Sequence, residues 1–271
     1  MAGTARRRLD AELVRRKLAR SREHAAQLIA AGRVTVGGAT ATKSATQVET
    51  SAPVVVVKDD DDPEYVSRGG HKLAGALAAF TPLGLEVAGR RALDAGASTG
   101  GFTDVLLRAG ARQVVAVDVG YGQLAWSLQS DERVVVKDRT NVRELTLDAI
   151  DGEAVDLVVG DLSFIPLGLV LPALAACTAP GADLVMMVKP QFEVGKERLG
   201  SGGVVRGAEL RADAVKGVAR RAAELGLGVL GVTASPLPGP SGNVEYFLWL
   251  RAGAPALDPA DVDRAVAEGP R

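Results

Sequence analysis

The sequence has little of what builds disulfide frameworks or metal clusters. Cys177 is the only cysteine in 271 residues, which excludes an internal disulfide and a cysteine-based zinc site. Two histidines, His24 and His71, are too few for a histidine cluster, so no metal is expected. No apolar run reaches the roughly 20 residues of a membrane span, and the opening MAGTARRRLD lacks the apolar core of a secretion signal. These absences point to a reduced, cytoplasmic protein with no membrane partner. What remains, 47% hydrophobic and 24% charged residues, is an ordinary globular composition, long enough for one large domain and a small one.

The net charge of −1 hides an asymmetry. Residues 1–50 hold ten Lys/Arg against four acids, leaving the rest of the chain near −7. A basic head on an acidic body fits a nucleic-acid grip attached to a catalytic or scaffold domain. Within the head, LDAELVRRKLA places Leu9, Leu13 and Leu18 on one helical face, and SREHAAQLIAAG reads as a second helix from a serine cap to Gly32. RVTVGGATATKSATQV then alternates in strand fashion about a Gly-Gly turn. The pattern LDAELVRRKLARSREHAAQLIAAGRVTVGG resembles the small α+β RNA-binding domain typified by ribosomal protein S4. The resemblance implies RNA held through its phosphates by Arg8, Arg16, Arg20, Arg22 and Lys43, with little base reading. KDDDDP, residues 58–63, suits a hinge, giving an expected S4-like domain over 1–57, a linker over 58–66 and a second domain over 67–271.

From about residue 90 strands and helices alternate. RALDAG, QVVAVDVG, RVVVKD, AVDLVVGDL and ADLVMMVK read as strands apolar on both faces, with helices such as GGFTDVLLRAG and GQLAWSLQS between them. This predicts a doubly wound, Rossmann-like α/β sheet. GVLGVTASP and NVEYFLWLRA complete seven strands and are joined only by LPGPSG, too short for a helical crossover, so the final pair must be antiparallel. That ending is the plan of the class I methyltransferases that use S-adenosylmethionine.

LDAGASTGGFTD lies between the first strand and its helix, with glycines at 96, 100 and 101. A dinucleotide fingerprint would need glycine where Ser98 stands. A nucleophile elbow would need a histidine after the serine, and both histidines precede it. The methyltransferase turn remains, with Asp94, Gly96, Ser98, Thr99, Gly100, Gly101 and Phe102 as candidate cofactor residues. Asp118, 24 residues after Asp94, ends the second strand where an acid takes both ribose hydroxyls, with Val119 beside it, and Asp138 ends the third strand beside the expected adenine. The fourth strand ends in DLSF, where Leu162 and Ser163 replace the prolines of the D/N-P-P-Y/F motif, disfavouring a base-amine acceptor. The fifth ends in VMMVKP, an apolar run closing on Lys189, and GNVEYF brings Glu245. SRGGHKL supplies Lys72 from a helix before the first strand.

Lysine, aspartate, lysine and glutamate at these places are similar to the tetrad of the FtsJ-like RNA 2′-O-methyltransferases. The order VSRGGHKL, LDAGASTGGFTD, VDVGYGQLAW, DLSFIPL, VKPQFEVG and SPLPGPSGNVEYFLWL is closer still to the TlyA-type, or hemolysin A, family of rRNA methyltransferases. That resemblance implies S-adenosylmethionine as cofactor and methylation of cytidine ribose in 23S and also 16S rRNA within ribosomal subunits, by a protein acting as a monomer. It also implies a linker aromatic, here Tyr65. A ribose hydroxyl must lose its proton as it attacks, and a lysine partly desolvated beside a second cation can accept it. Lys189 is the expected base, Lys72 the second cation, and Asp161 and Glu245 their orienting acids. Two other readings, a membrane-lytic hemolysin and a non-catalytic ribosome-binding factor, are disfavoured: the first by the missing span and signal, the second by two lysines facing two acids.

Overall fold

A computed structural model of the chain describes residues 6–19, 21–57, 63–239 and 241–270. It has two compact units that divide between Pro63 and Glu64. In the first, β1 (Arg6–Arg8) leads into α1 (Leu9–Arg15) and α2 (Arg22–Ala30), followed by β2 (Val34–Val36), β3 (Ala39–Thr40), β4 (Gln47–Glu49) and β5 (Val54–Val56). The Ser21 hydroxyl accepts the His24 N–H at 3.1 Å and starts α2. Gly37 and Gly38, both at positive φ, make the two-residue turn that pairs Val36 with Ala39. Leu9, Leu13, Leu28, Ile29, Val34 and Val48 form the core. β1 pairs with β4 and β5 with β2, strands of three residues each, too short for alternation to reveal them.

The second unit begins with α3 (Gly69–Phe80) and continues through β6 (Arg91–Ala95), α4 (Gly101–Arg108), β7 (Gln113–Val117), α5 (Trp126–Gln129), β8 (Val134–Lys137), β9 (Val155–Gly160), α6 (Leu171–Ala176), β10 (Thr178–Val188), α7 (Pro190–Glu193), α8 (Ala208–Ala223), β11 (Leu227–Ala234), β12 (Tyr246–Ala252) and α9 (Pro259–Glu268). The sheet runs β11-β12-β10-β9-β6-β7-β8. β6 to β10 are parallel, and β12 slots between β10 and β11, antiparallel to both. The segment GQLAWSLQS, expected as a helix, is helical only over Trp126–Gln129. The stretch before it is held as a loop: Asp118 accepts the Gly120 N–H at 2.7 Å and Asp138 accepts the Gly122 N–H at 2.9 Å.

Side-chain alternation decides what each face meets. Leu184, Met186, Val188, Tyr246, Leu248 and Leu250 face α6, α8 and α9. Leu157, Val159, Val185, Met187, Phe247 and Trp249 face α3 and α4. Continued by one step past the strand ends, the second set includes Asp161, Lys189 and Glu245. Because β12 runs backwards, its first residue Tyr246 lies opposite Val188, so Glu245 comes to the same edge as Lys189.

At the other end of these strands Asp183 is wholly buried. It accepts from Trp249 Nε1 at 2.6 Å, Arg251 Nε at 2.8 Å and Arg90 at 2.5 Å. Burial alone would raise this carboxyl; the bonds from Arg251, Trp249 and Arg90 hold it below its ordinary range. Asp183→Ala strands these donors and is expected to cost about 3 kcal/mol in chemical denaturation.

Candidate active site

Lys72 stands in the first turn of α3, the end of a helix least favourable to a cation. It is nearly buried and pairs with Glu245, Nζ to Oε2, at 2.5 Å. The Glu245 Oε1 oxygen is buried without a hydrogen-bond partner among the described residues. A Cβ at Gly239 would stand 2.6 Å from that oxygen, which accounts for glycine in LPGPSG. Lys189 is 8% exposed. Its Nζ lies 2.6 Å from Asp161 Oδ1 and donates to Ser163 Oγ at 2.8 Å. Lys72, Asp161, Ser163 and Lys189 line one cavity of about 320 Å³, closed by Ser67, Arg68 and the turn from Gly96 to Phe102. Glu245 is not in its wall and acts on it through Lys72.

A second cavity, of about 500 Å³, shares Gly96, Ser98, Asp161 and Ser163 with the first. Asp118, Val119, Gln123, Leu162 and Phe164 line it, with Thr140, Asn141 and Val142 from the loop after β8. Asp118 spans two loops, accepting the Ser98 N–H at 2.8 Å on Oδ2 and the Gly120 N–H at 2.7 Å on Oδ1. An ionised carboxylate accepts about four hydrogen bonds, so both oxygens keep capacity toward the cavity.

Three expected cofactor residues lie elsewhere. Asp94 is wholly buried beneath the glycine turn and lines neither cavity; its Oδ2 accepts from Thr103 Oγ1 at 2.7 Å and its Oδ1 is without a partner among the described residues. Asp138 turns to the Gly122 N–H and shapes the loop instead of the wall. Gly100 faces inward: a Cβ there would strike Leu124, at 2.8 Å, and Leu128. Gly96, at φ +86°, does serve the wall, since a Cβ would meet Leu162 Cδ2 at 2.9 Å.

Several residues of the site are not singled out by the sequence. Phe164 is 90% exposed at φ +64°, its ring 5.2 Å from Phe192. Tyr121, also exposed, carries the Arg139 guanidinium 4.2 Å over its ring. An exposed aromatic in a left-handed conformation is a fold-level cost, and such signals appear only with coordinates. Glu193 accepts the Leu167 N–H at 2.8 Å, fastening α7 to the loop that carries Asp161, and burial pushes its carboxyl up to about 6.

Tyr65, expected in the linker, is packed into the second unit. Its ring meets His71 edge-on at 5.1 Å and lies 4.9 Å from the Arg108 guanidinium. Gly70 makes room for it, since a Cβ there would lie 2.5 Å from Tyr65 Cβ. In the first unit Arg8 and Arg22 both pair with Asp10, at 2.8 and 2.9 Å. Arg15 and Arg16 flank the buried Glu12, and the hydrogen bond from Arg15 leads in lowering Glu12 to about 2. Arg16 spends the rest of its guanidinium on the carbonyls of Thr50 and Ala52, both at 2.8 Å. Lys43 is exposed. Arg20 lies outside the described residues, as does most of the expected linker.

The sequence matches the FtsJ-like methyltransferase family over residues 65–252 and the S4 domain over residues 7–54. It is 61% identical to a Mycobacterium tuberculosis protein named 16S/23S rRNA (cytidine-2′-O)-methyltransferase TlyA, over 98% of this chain and 99% of the relative. It is 34% identical to Hemolysin A of Brachyspira hyodysenteriae, over 89% and 98% of the two chains. A solved structure from Streptococcus thermophilus, described as a candidate hemolysin, superposes with a TM-score of 0.76 at 36% identity, covering 98% of this chain and 96% of that one. Among the described residues no helix is long and apolar enough to cross a membrane.

Burial pushes the Asp94 carboxyl up to about 7 against its bonds from Thr103, with Asp161 and Asp118 adding repulsion. Its unfolded counterpart titrates near the ordinary value of about 3.9. The folded state therefore holds a proton that the unfolded state has released, and the associated stability is lost as pH rises toward about 7. In thermal melts of the ligand-free protein, the midpoint is expected to fall between about pH 4 and about pH 7 relative to Asp94→Asn, whose profile is flatter there.

Proposed function

The chain belongs to the FtsJ-like methyltransferases and, among them, to the TlyA-type or hemolysin A family, and on that footing we propose that it methylates the ribose 2′-hydroxyl of cytidine in ribosomal RNA, in 23S and also in 16S, with S-adenosylmethionine as donor. The observation that carries this reading is the pair of nearly buried lysines, each held by a carboxylate, at one crevice: Lys72 on Glu245 and Lys189 on Asp161. A protein that only bound RNA would gain nothing from sequestering two cations beneath its surface, because burying an ion is costly even when it is paired.

Bound S-adenosylmethionine supplies an electrophilic methyl on a positively charged sulfur. The residues present fit that group. Asp118 keeps acceptor capacity for two ribose hydroxyls, and the unpartnered Asp94 Oδ1 buried beneath the turn is an oxygen that a cationic amino-acid end would hold in its ionised form. Thr140, Asn141 and Val142 wall the adenine end, shaped by the bond from Gly122 to Asp138.

Lys189, once it has given its own proton to solvent and stands as the free amine, accepts the proton of the 2′-hydroxyl on Nζ. The oxygen freed of that proton would take the methyl that the bound cofactor supplies, the sulfur keeping the bonding pair. Lys72 lends positive charge beside the oxygen while it is electron-rich, and Glu245 fixes Lys72 in place. Alignment of oxygen, carbon and sulfur provides much of the acceleration, because the donor is already activated. Phe164 offers an open ring on which an unstacked base can lie once its ribose enters the crevice. Arg8, Arg22 and Lys43 of the S4-like unit hold phosphates, and Asp10 pre-sets the two arginines.

Incubation with ribosomal subunits and labelled cofactor, followed by mapping of ribose methylation, tests the reading. Lys189→Ala is expected to lower single-turnover methylation at least ~100-fold, with cofactor affinity within a few-fold of the parent. Phe164→Ala is expected to reduce kcat/KM for the RNA about tenfold, as loss of one base stack would, leaving cofactor binding unchanged. A fully active Lys189→Ala protein would remove the lysine base from the mechanism.

A further inference from the structure

Ser163 has no part in the lysine–acid set, yet it touches the amine on which the proposed reaction turns. Its Oγ lies 2.8 Å from Lys189 Nζ, and Asp161 Oδ1 lies 2.6 Å from the same atom. Both oxygens come from one short stretch after β9, two residues apart in DLSF. Ser163 also lines both cavities, so it stands where the cofactor space opens onto the lysines. Phe164 follows it in a left-handed conformation, which turns the chain away directly after the hydroxyl.

A lysine that removes a proton reacts as the neutral amine. That amine has two N–H bonds and one lone pair, set tetrahedrally about nitrogen together with the bond to Cε. The amine rotates freely about that bond unless its hydrogens are claimed. The Asp161 Oδ1 contact is an ion pair without hydrogen-bond alignment, so that carboxylate acts on the amine through its charge. With that charge alone, the N–H bonds and the lone pair interchange, and the lone pair faces the crevice for only part of the time. The hydrogen bond to Ser163, an acceptor at a fixed angle, removes most of that freedom.

We propose that Ser163 is a positioning residue for the methyl transfer: it takes up one N–H bond of the Lys189 amine while the charge of Asp161 draws the other, and together they turn the lone pair toward the acceptor hydroxyl. This rests on Lys189 being the base. After proton transfer the ammonium keeps its bond to Ser163 and its ion pair with Asp161, and the third N–H, now carrying the proton from the ribose, points into the crevice from which product leaves. The same geometry gives DLSF a reason for serine where amino-methylating enzymes carry proline, which has no hydroxyl to offer.

Single-turnover methylation of ribosomal subunits at saturating cofactor, run on four proteins side by side, tests this. Ser163→Ala is expected to slow the chemical step about tenfold, with the cofactor Kd by calorimetry and the half-saturating subunit concentration both within twofold of the parent. Ser163→Thr, which restores an oxygen on the same carbon, is expected to recover most of the rate. Lys189→Ala marks the floor. A Ser163→Ala protein at the parental rate beside an inactive Lys189→Ala protein would overturn the positioning role while leaving the base in place. So would a threonine variant as slow as the alanine one, or a loss in the alanine variant matched by weakened cofactor binding. An active Lys189→Ala protein would instead sink the underlying mechanism.

Discussion

Two ammonium groups held almost out of water, each against a carboxylate, are the arrangement on which the rest of the catalytic unit depends. Removing such ions from solvent is favourable only when the partner sits at contact distance and is itself fixed. Here the partners arrive by different routes. Asp161 follows a parallel strand and Glu245 precedes an antiparallel one, and the two meet at one edge only because β12 runs against its neighbours. A seventh strand running parallel would have carried Glu245 to the opposite end of the sheet. The hairpin at the end of the fold is therefore a condition of the site. The residues that look least at home, a lysine in a helix's first turn and a lysine closing an apolar strand, are where local preference gives way to chemistry.

Much of this was legible in the chain because the relevant signals are local. Buried parallel strands read as apolar runs, and each ends on a polar residue at a recognisable distance from a glycine turn. Pairings were not legible, since they join residues far apart: Lys72 finds Glu245 across 173 positions. The same reason hides Thr140, Asn141 and Val142, which reach the second cavity from a loop with no motif of its own. Asp94 and Asp138 add bonds that no spacing announces. Both carry the expected residue type at the expected strand end, and each places one carboxylate oxygen beneath the loops, on Thr103 and on the Gly122 N–H. Residue type and spacing identify the loop that matters, while only the backbone path says which side chain faces the ligand.

The first unit repeats that lesson in its electrostatics. Its acids appear in the sequence as a minority scattered among arginines. In the structure Asp10 and Glu12 are nearly buried, and four arginines are arranged around them. Such pairing lowers the entropy lost when a guanidinium meets a phosphate, because the side chain is already extended and aimed. Arg16, tied to two carbonyls as well, is committed to holding α1 against the loop at residues 50–52 and has the least left for a ligand.

The burial of Asp183 at the amino rim has a consequence of a different kind. Lys189, just past the end of β10, lies six positions further along the chain, roughly 20 Å of extended backbone. The same two strands thus carry a tightly bonded anchor at one rim and lead to Lys189 and Glu245 at the other, with leucine, valine, methionine and aromatic side chains between. The side chains bonded to Asp183 and those bonded to Lys189 have no member in common, so a substitution at Asp183 acts on the holding of the sheet and leaves the bonds around Lys189 in place.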